Sequence, residues 1–248
     1  MSTWDLPRLR SLRLREPGFK SSCHELRSWE PIFFPPESDC YALFGYIPVR
    51  GIQNDDERYV NRLVIDFKEG KASAIAAIAT LAKEIITTDL FWSDDKGFPG
   101  YALAAPSSKV GIGSLGVNQL LDKIARPFPS STGVRALSLT RSPHELMRTT
   151  ALQTPSHQQK KSIEDHLGTI ELVSELRPPY AETENLWAPD GHGPRVIVFD
   201  DVYTRGATFA ACKRVIQDEW IDATYGYDSI PNIAGFFVAK TWARNIDR

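Results

Sequence analysis

Two adjacent carboxylates, Asp200 and Asp201, followed by a short Thr/Arg/Gly turn, are the residues of this chain whose types and spacing point most directly to chemistry. They sit in the stretch 196–208, VIVFDDVYTRGAT, where four apolar residues (Val196, Ile197, Val198, Phe199) precede the acidic pair and a helical pattern over residues 207–219 follows. The pattern predicts a buried strand, two carboxylates at its C-terminal end, and a loop opening onto a helix. In an open α/β sheet, ligands bind at that edge. Backbone N–H groups of the turn and the helix start suit a phosphate, whereas the carboxylates suit hydroxyl groups or a metal ion. A ligand carrying a phosphate and a neighbouring diol, such as a ribose 5-phosphate, satisfies both halves.

The elements that must position this stretch are legible from periodicity. Residues 41–49 read as a strand after the turn at Pro31, Pro35 and Pro36. Asp55 and Asp56 start a helix whose Val60, Leu63, Val64 and Phe67 recur at helical spacing up to Lys68 and a stop at Gly70. A second helix over residues 72–86 places Ile75, Ile78, Ala79, Ala82 and Ile86 on one face, and both helices are plain core. A strand into Ala105, a helix opened by Gly116, and strands at 136–139, 170–173 and 236–240 complete an α/β pattern. Gly111, Gly113 and Gly116 match a dinucleotide-type G-x-G-x-x-G. The first glycine of that fingerprint should close a tight turn directly after the strand, and here residues 106–110 intervene. Nicotinamide binding is therefore not expected.

The chain has 248 residues and a net charge of −2, enough for one sizeable core and without a global field that would draw it to nucleic acid. No apolar run approaches the ~18 residues of a membrane span. Arg and Leu interleave near the N-terminus where a signal peptide would separate them, so a cytoplasmic location is expected. Cys23, Cys40 and Cys212 are too few and scattered for a disulfide framework, and Cys23, His24 and Cys40 fall short of the four ligands of a structural zinc site. Arg8, Arg10, Arg13 and Arg15 form a basic arm with interleaved leucines. It is a candidate surface for a protein partner or nucleic acid, against the plainer reading of an arm packed on its own domain. The histidines His144, His157 and His166 lie in a polar stretch without metal-ligand spacing and are expected at the surface.

VIVFDDVYTRGAT resembles the phosphoribosyl pyrophosphate (PRPP) signature of type I phosphoribosyltransferases. Tyr203 and Arg205 stand where an aliphatic and a small hydroxyl residue are commoner. Further segments are similar to the ComF (competence protein F) branch. They are Asp66-Phe67-Lys68-Glu69-Gly70-Lys71 before an Ala-rich helix, Ala105-Pro106-Ser107-Ser108, Gly116-Val117-Asn118-Gln119 opening a helix, and the strand at 236–240 followed by Thr241-Trp242-Ala243-Arg244. The branch's N-terminal zinc cysteine pairs are absent, and Leu115 stands where an Arg usually precedes the Gly-aromatic-Asn-Gln motif.

The resemblance implies a doubly wound, mainly parallel sheet flanked by helices over residues 41–248, with residues 1–40 as an N-terminal basic arm and cap. It gives Asp200 and Asp201 the ribose hydroxyls, and Thr204, Arg205, Gly206, Ala207 and Thr208 the 5-phosphate. Ser107 and Ser108 would meet the pyrophosphate, Lys109 would supply compensating charge, and Mg2+ would be held through PRPP with the two aspartates near it. It also makes residues 141–166 the mobile loop that closes over the site. The activity implied is transfer of phosphoribosyl to an unknown, nucleobase-like acceptor. The alternative is a non-catalytic PRPP or nucleotide sensor, or an effector subunit of a DNA-handling, competence or defence assembly. The oligomeric state stays open.

Overall fold

A computed structural model describes residues 4–13, 29–30, 40–47, 52, 54–88, 100–111, 113–125, 139–142, 145–152, 162–173, 195–223, 232–241 and 243–244. Along them run α1 (Leu6–Leu12), β1 (Trp29–Glu30), β2 (Cys40–Tyr46), α2 (Asp55–Lys68), α3 (Ala72–Thr88), β3 (Gly100–Ala104), α4 (Leu115–Ile124) and β4 (Thr140–Arg141). Then come β5 (Glu145–Arg148), α5 (Ile163–Leu167), β6 (Ile170–Val173), β7 (Arg195–Tyr203), α6 (Ala207–Ala223), β8 (Asn232–Thr241) and β9 (Ala243–Arg244). Five strands form one parallel sheet in the order β2-β8-β7-β3-β4.

Alternate residues of β7 feed two cores, because successive side chains on a strand point to opposite faces. Ile197 and Phe199 pack with Val64, Phe67, Ile78 and Leu120 beneath α1–α4. Val196 and Val198 pack with Leu103, Phe209, Cys212 and Ile216 beneath α6, together with Leu146 and Ile170 of the antiparallel pair β5–β6. Coverage on both faces explains the unbroken apolar run, whose four residues are at most 1% exposed. The chain is thus an α/β fold with a mainly parallel sheet flanked by helices.

Connectivity then places a crevice. β3 leads through α4 to β4 on one side, whereas β7 leads through α6 to β8 on the other, and α4 and α6 cover opposite faces. The gap between the C-terminal ends of β3 and β7 is therefore a topological switch point, where open α/β sheets bind ligands.

Local chemistry sets the boundaries. Asn54 caps α2, its side chain accepting the Glu57 N–H at 2.8 Å, and Asp55, Asp56 and Glu57 follow in the first turn, where carboxylates complement the helix dipole. The helix expected from Asp55 is thus held by the residue before it. β2 ends at Tyr46, and positions 48 and 49 of the strand expected there lie outside the described residues. Of the strand expected at 136–139, only Leu139 is described, and sheet pairing begins one residue later at Thr140.

The N-terminal arm packs on its own domain. Leu9 is fully buried, Asp5 caps α1, Arg8 pairs with Asp56 at 2.6 Å, and Arg10 pairs with Glu84 at 2.5 Å. Arg13 lies 3.8 Å from Glu84, and Arg15 lies outside the described residues. These three arginines therefore meet carboxylates of α2 and α3. Farther along, β1 pairs antiparallel with β9. The stretch 141–166, expected to be a mobile loop, contains β5 and most of α5, and its Arg148 and His166 are buried. β5 pairs with β6 and a Ser162 capping box starts α5, whereas residues 143–144 and 153–161 of the expected loop lie outside the described residues. His144 and His157 lie outside the described residues.

Candidate functional site

At the crevice, β7 runs past the end of β3. The Ala105 N–H donates to the Phe199 carbonyl at 2.8 Å, after which β7 continues beside β8 alone as far as the pairing of Tyr203 with Lys240. The acidic pair lies in this overhang. Asp201 turns toward α2, where Lys68 Nζ lies 3.3 Å from its Oδ1. Asp200 faces the other side, within the electrostatic reach of Arg148 and Cys212. Burial, and after it the charge of Asp201, push the Asp200 carboxyl well above the usual carboxylate range. The Asp201 N–H, which donates to Asp200 Oδ1 at 2.8 Å, and the charges of Lys68 and Arg148 pull it partly back.

The next residues form the turn expected to cradle a phosphate. Thr204 and Arg205 are exposed, Gly206, Ala207 and Thr208 are half-buried, and the Ala210 N–H donates to the Gly206 carbonyl at 2.8 Å to start α6. N–H groups ahead of that first bond have no intrahelical acceptor, which leaves the loop a donor-rich edge. Gly206 has φ +78°, and a Cβ there would sit 2.3 Å from the Tyr203 hydroxyl oxygen. Tyr203 in turn packs edge-on against Phe237 at 4.9 Å. The aromatic residue at this position thus props the loop against the sheet, and only glycine fits beneath it.

The loop after β3 supplies the other wall. Ala105 and Pro106 are buried, Ser107 is half-buried, and Ser108, Lys109 and Val110 are exposed. The Ser107 hydroxyl accepts the Lys109 N–H at 3.2 Å and donates to the Lys109 carbonyl at 3.3 Å. That closes the turn on itself and leaves Ser108 and Lys109 as its exposed polar side chains. Ser114 caps α4, and the Asn118 amide donates to the carbonyls of Gly113 at 2.9 Å and Ser114 at 3.2 Å, fixing the loop's exit. The three glycines each have a local reason unrelated to a dinucleotide, which for Gly111 is its backbone at φ +112° and for the other two is packing. Gly111 bridges to Arg148, Gly113 closes on Ala104 and Ala105, and a Cβ on Gly116 would lie 2.1 Å from the Phe67 carbonyl oxygen of α2.

Two residues that the sequence did not single out stand at the centre of this arrangement. Arg148 is 1% exposed, and its Nε donates to the Ser107 carbonyl at 2.6 Å. Its Nη1 donates to Thr169 Oγ1, and its Nη2 lies 3.3 Å from His166 Nδ1. Lys68, at the last turn of α2, is the cation beside Asp201. Lys68 stands in the quoted segment 66–71, but nothing in that segment foretells the aspartate it meets. Arg148 carried no signal at all, since a lone arginine in a polar stretch reads as solvated.

The arrangement offers hydrogen-bond acceptors at the end of β7 between two loops able to donate. Two adjacent carboxylates are too few for an all-protein metal cage, and among the described residues no cluster of three or more ligating side chains occurs. They fit Mg2+, which takes one or two carboxylates and completes its shell with water and substrate phosphates. No family model matches the chain, and no curated protein matches it in sequence, so the chemistry of the site is read from its own residues.

Proposed function

We propose that the chain binds PRPP with Mg2+ in the crevice between β3 and β7, and transfers its phosphoribosyl group to a nucleobase-like nucleophile. The observation that carries this reading is the pairing, at one switch point, of a two-carboxylate strand end and donor-rich turn with a second polar loop from the neighbouring strand. A diol, a 5-phosphate and a pyrophosphate on one sugar match those three features.

In this reading Asp200 and Asp201 accept hydrogen bonds from the ribose hydroxyls, and residues 204–208 hold the 5-phosphate through N–H groups and hydroxyls. The Ser108 and Lys109 side chains face the pyrophosphate, together with the Ser108 and Val110 N–H groups; the N–H groups of Lys109 and Gly111 are spent on Ser107 and Arg148. The bond from the anomeric carbon to pyrophosphate oxygen breaks, with its electron pair leaving on pyrophosphate, and a bond from the acceptor nitrogen forms. The acceptor's proton passes to solvent or to a group in the acceptor pocket. Bound Mg2+ would supply charge neutralisation for the departing phosphates. The carboxylates favour the positive charge that grows on the sugar, and such preorganised electrostatics is usually the largest catalytic term.

Thermal melting tests the reading. Mg2+ with PRPP should raise the melting temperature, and the double substitution Asp200→Asn with Asp201→Asn should remove the rise; no rise in the parent protein sinks the proposal. Pyrophosphate release is then measured with a panel of bases, nucleosides and nucleic acids. Binding without release under every condition replaces transfer by ligand sensing.

A further inference from the structure

We infer that Arg148 is a positioning residue, a clamp that gives the loop 107–111 its anion-binding shape without itself touching ligand. The inference rests on the PRPP reading for the identity of the anion, but its geometry stands alone. Arg148 holds the loop at both ends. Its side chain donates from Nε to the carbonyl of Ser107 at 2.6 Å, and its backbone exchanges two hydrogen bonds with Gly111, at 2.9 and 3.0 Å. Between these anchors lie Ser108, Lys109 and Val110, all exposed. A loop fixed at its first and last residue presents its middle in one conformation, and the entropy of ordering it is lost on folding rather than on binding.

The clamp is itself held. Thr169 Oγ1 accepts from Nη1, and Thr169 in turn donates to the His166 carbonyl at 2.9 Å. His166 Nδ1 lies 3.3 Å from Nη2, an acceptor that requires the ring proton on Nε2. A guanidinium with partners on each of its nitrogens and 1% exposure has little capacity left for a phosphate. It acts through the carbonyl of Ser107 and through its charge, which reaches Asp200. One residue thereby links the pyrophosphate loop after β3 to the carboxylate at the end of β7.

The test substitutes Arg148→Lys, which keeps the charge and loses the planar fork. Inorganic pyrophosphate with Mg2+ and ribose 5-phosphate are titrated separately by calorimetry, and amide hydrogen exchange is followed in the free protein. Exchange at 108–111 should rise while β7 and β8 keep their protection. Pyrophosphate affinity should fall by about tenfold or more, as expected when a charged hydrogen bond that shapes a site is lost, and ribose 5-phosphate affinity should stay within about twofold. Should Arg148→Lys fail to fold, Thr169→Val removes the Nη1 acceptor at similar volume and should give the same selectivity at smaller amplitude. Unchanged exchange at 108–111, or equal weakening of both ligands, overturns the clamp. Absence of pyrophosphate binding in the parent protein, with exchange still raised in the variant, overturns the PRPP reading and the anion role while leaving the clamp's geometry supported.

Discussion

Lys68 Nζ lies 3.3 Å from Asp201 Oδ1, so the last turn of α2 places a cation against the acidic end of β7. Lys68 is about half exposed, at 46%, and a pair of this kind contributes at most ~1 kcal/mol to stability. Its larger consequence is electrostatic, because the same charge lowers the proton affinity of Asp200. Lys68→Gln should therefore cost little in denaturant midpoint but move the pH profile of PRPP affinity to higher pH. Lys68→Arg should restore it. A profile unchanged by Lys68→Gln would show that the ammonium does not act on the carboxylate pair.

Asp200 sets the sign of that pH dependence. Its folded-state proton affinity is raised, first by burial and then by Asp201. The folded state thus holds a proton that the unfolded chain has released, and stability falls as pH climbs from the ordinary aspartate value of about 4 through the raised folded value. A ligand that needs the ionised carboxylate must expel the proton, so affinity for PRPP with Mg2+ should rise with pH across neutrality and binding should release protons. Asp200→Asn imitates the protonated group. It should raise the melting temperature of the free protein at pH 8, by about 2–4 °C for each kcal/mol recovered in a chain of this size, and abolish the ligand-induced shift. Calorimetry in buffers of different ionisation enthalpy measures the proton count. A fall in free-protein stability at pH 8 would contradict the raised value.

Legibility from the sequence follows the same division between what one segment determines and what two must determine together. β7 was legible because residues 196–199, covered on both faces, are all apolar, and its acidic end and glycine turn follow without interruption. α2 and α3 were legible from their period. Arg148 and Lys68 were not, because the groups that give them meaning lie far along the chain: Ser107 is 41 positions from Arg148, and Asp201 reaches Lys68 only through the packing of α2 on the sheet. The reason for Gly116 was hidden in the same way, since it is the Phe67 carbonyl of a helix earlier in sequence. The arginines of the arm were compatible with a partner as well as with packing on their own domain, and their carboxylates on α2 and α3 appear only once the helices are assembled.

Gly206 and Tyr203 give a test that is read first in the free protein. The left-handed backbone at Gly206 costs a residue with a side chain about 1–2 kcal/mol, and the Tyr203 hydroxyl oxygen adds a collision at 2.3 Å. Gly206→Ala should lower the melting temperature and weaken binding of the 5-phosphate end. Tyr203→Phe in the same chain removes the nearest colliding atom but leaves the backbone strain, so it should recover only part of the loss. Full recovery would show that the collision alone makes glycine necessary, and no loss in Gly206→Ala would show that the turn adjusts.

The pairing of Arg10 with Glu84 at 2.5 Å gives a test between an arm that serves its own domain and one that serves a partner. Arg10 and Arg13 both meet Glu84, whose carboxyl is lowered below its usual range chiefly by its hydrogen bonds from Arg10. Such a lowered carboxyl adds stability above its ordinary value, and that stability is lost as pH falls through the lowered one. Arg10→Glu should reduce the melting temperature at pH 7 by a few degrees at most, because the pair is exposed and screened by salt. The exchange Arg10→Glu with Glu84→Arg should recover most of it, and PRPP affinity should be unaffected in both variants, since Glu84 lies about three turns along α3 from the end that follows Lys68. If the single substitution leaves melting unchanged but weakens association with a nucleic acid or protein, the arm's charges serve a partner and their internal pairing is incidental.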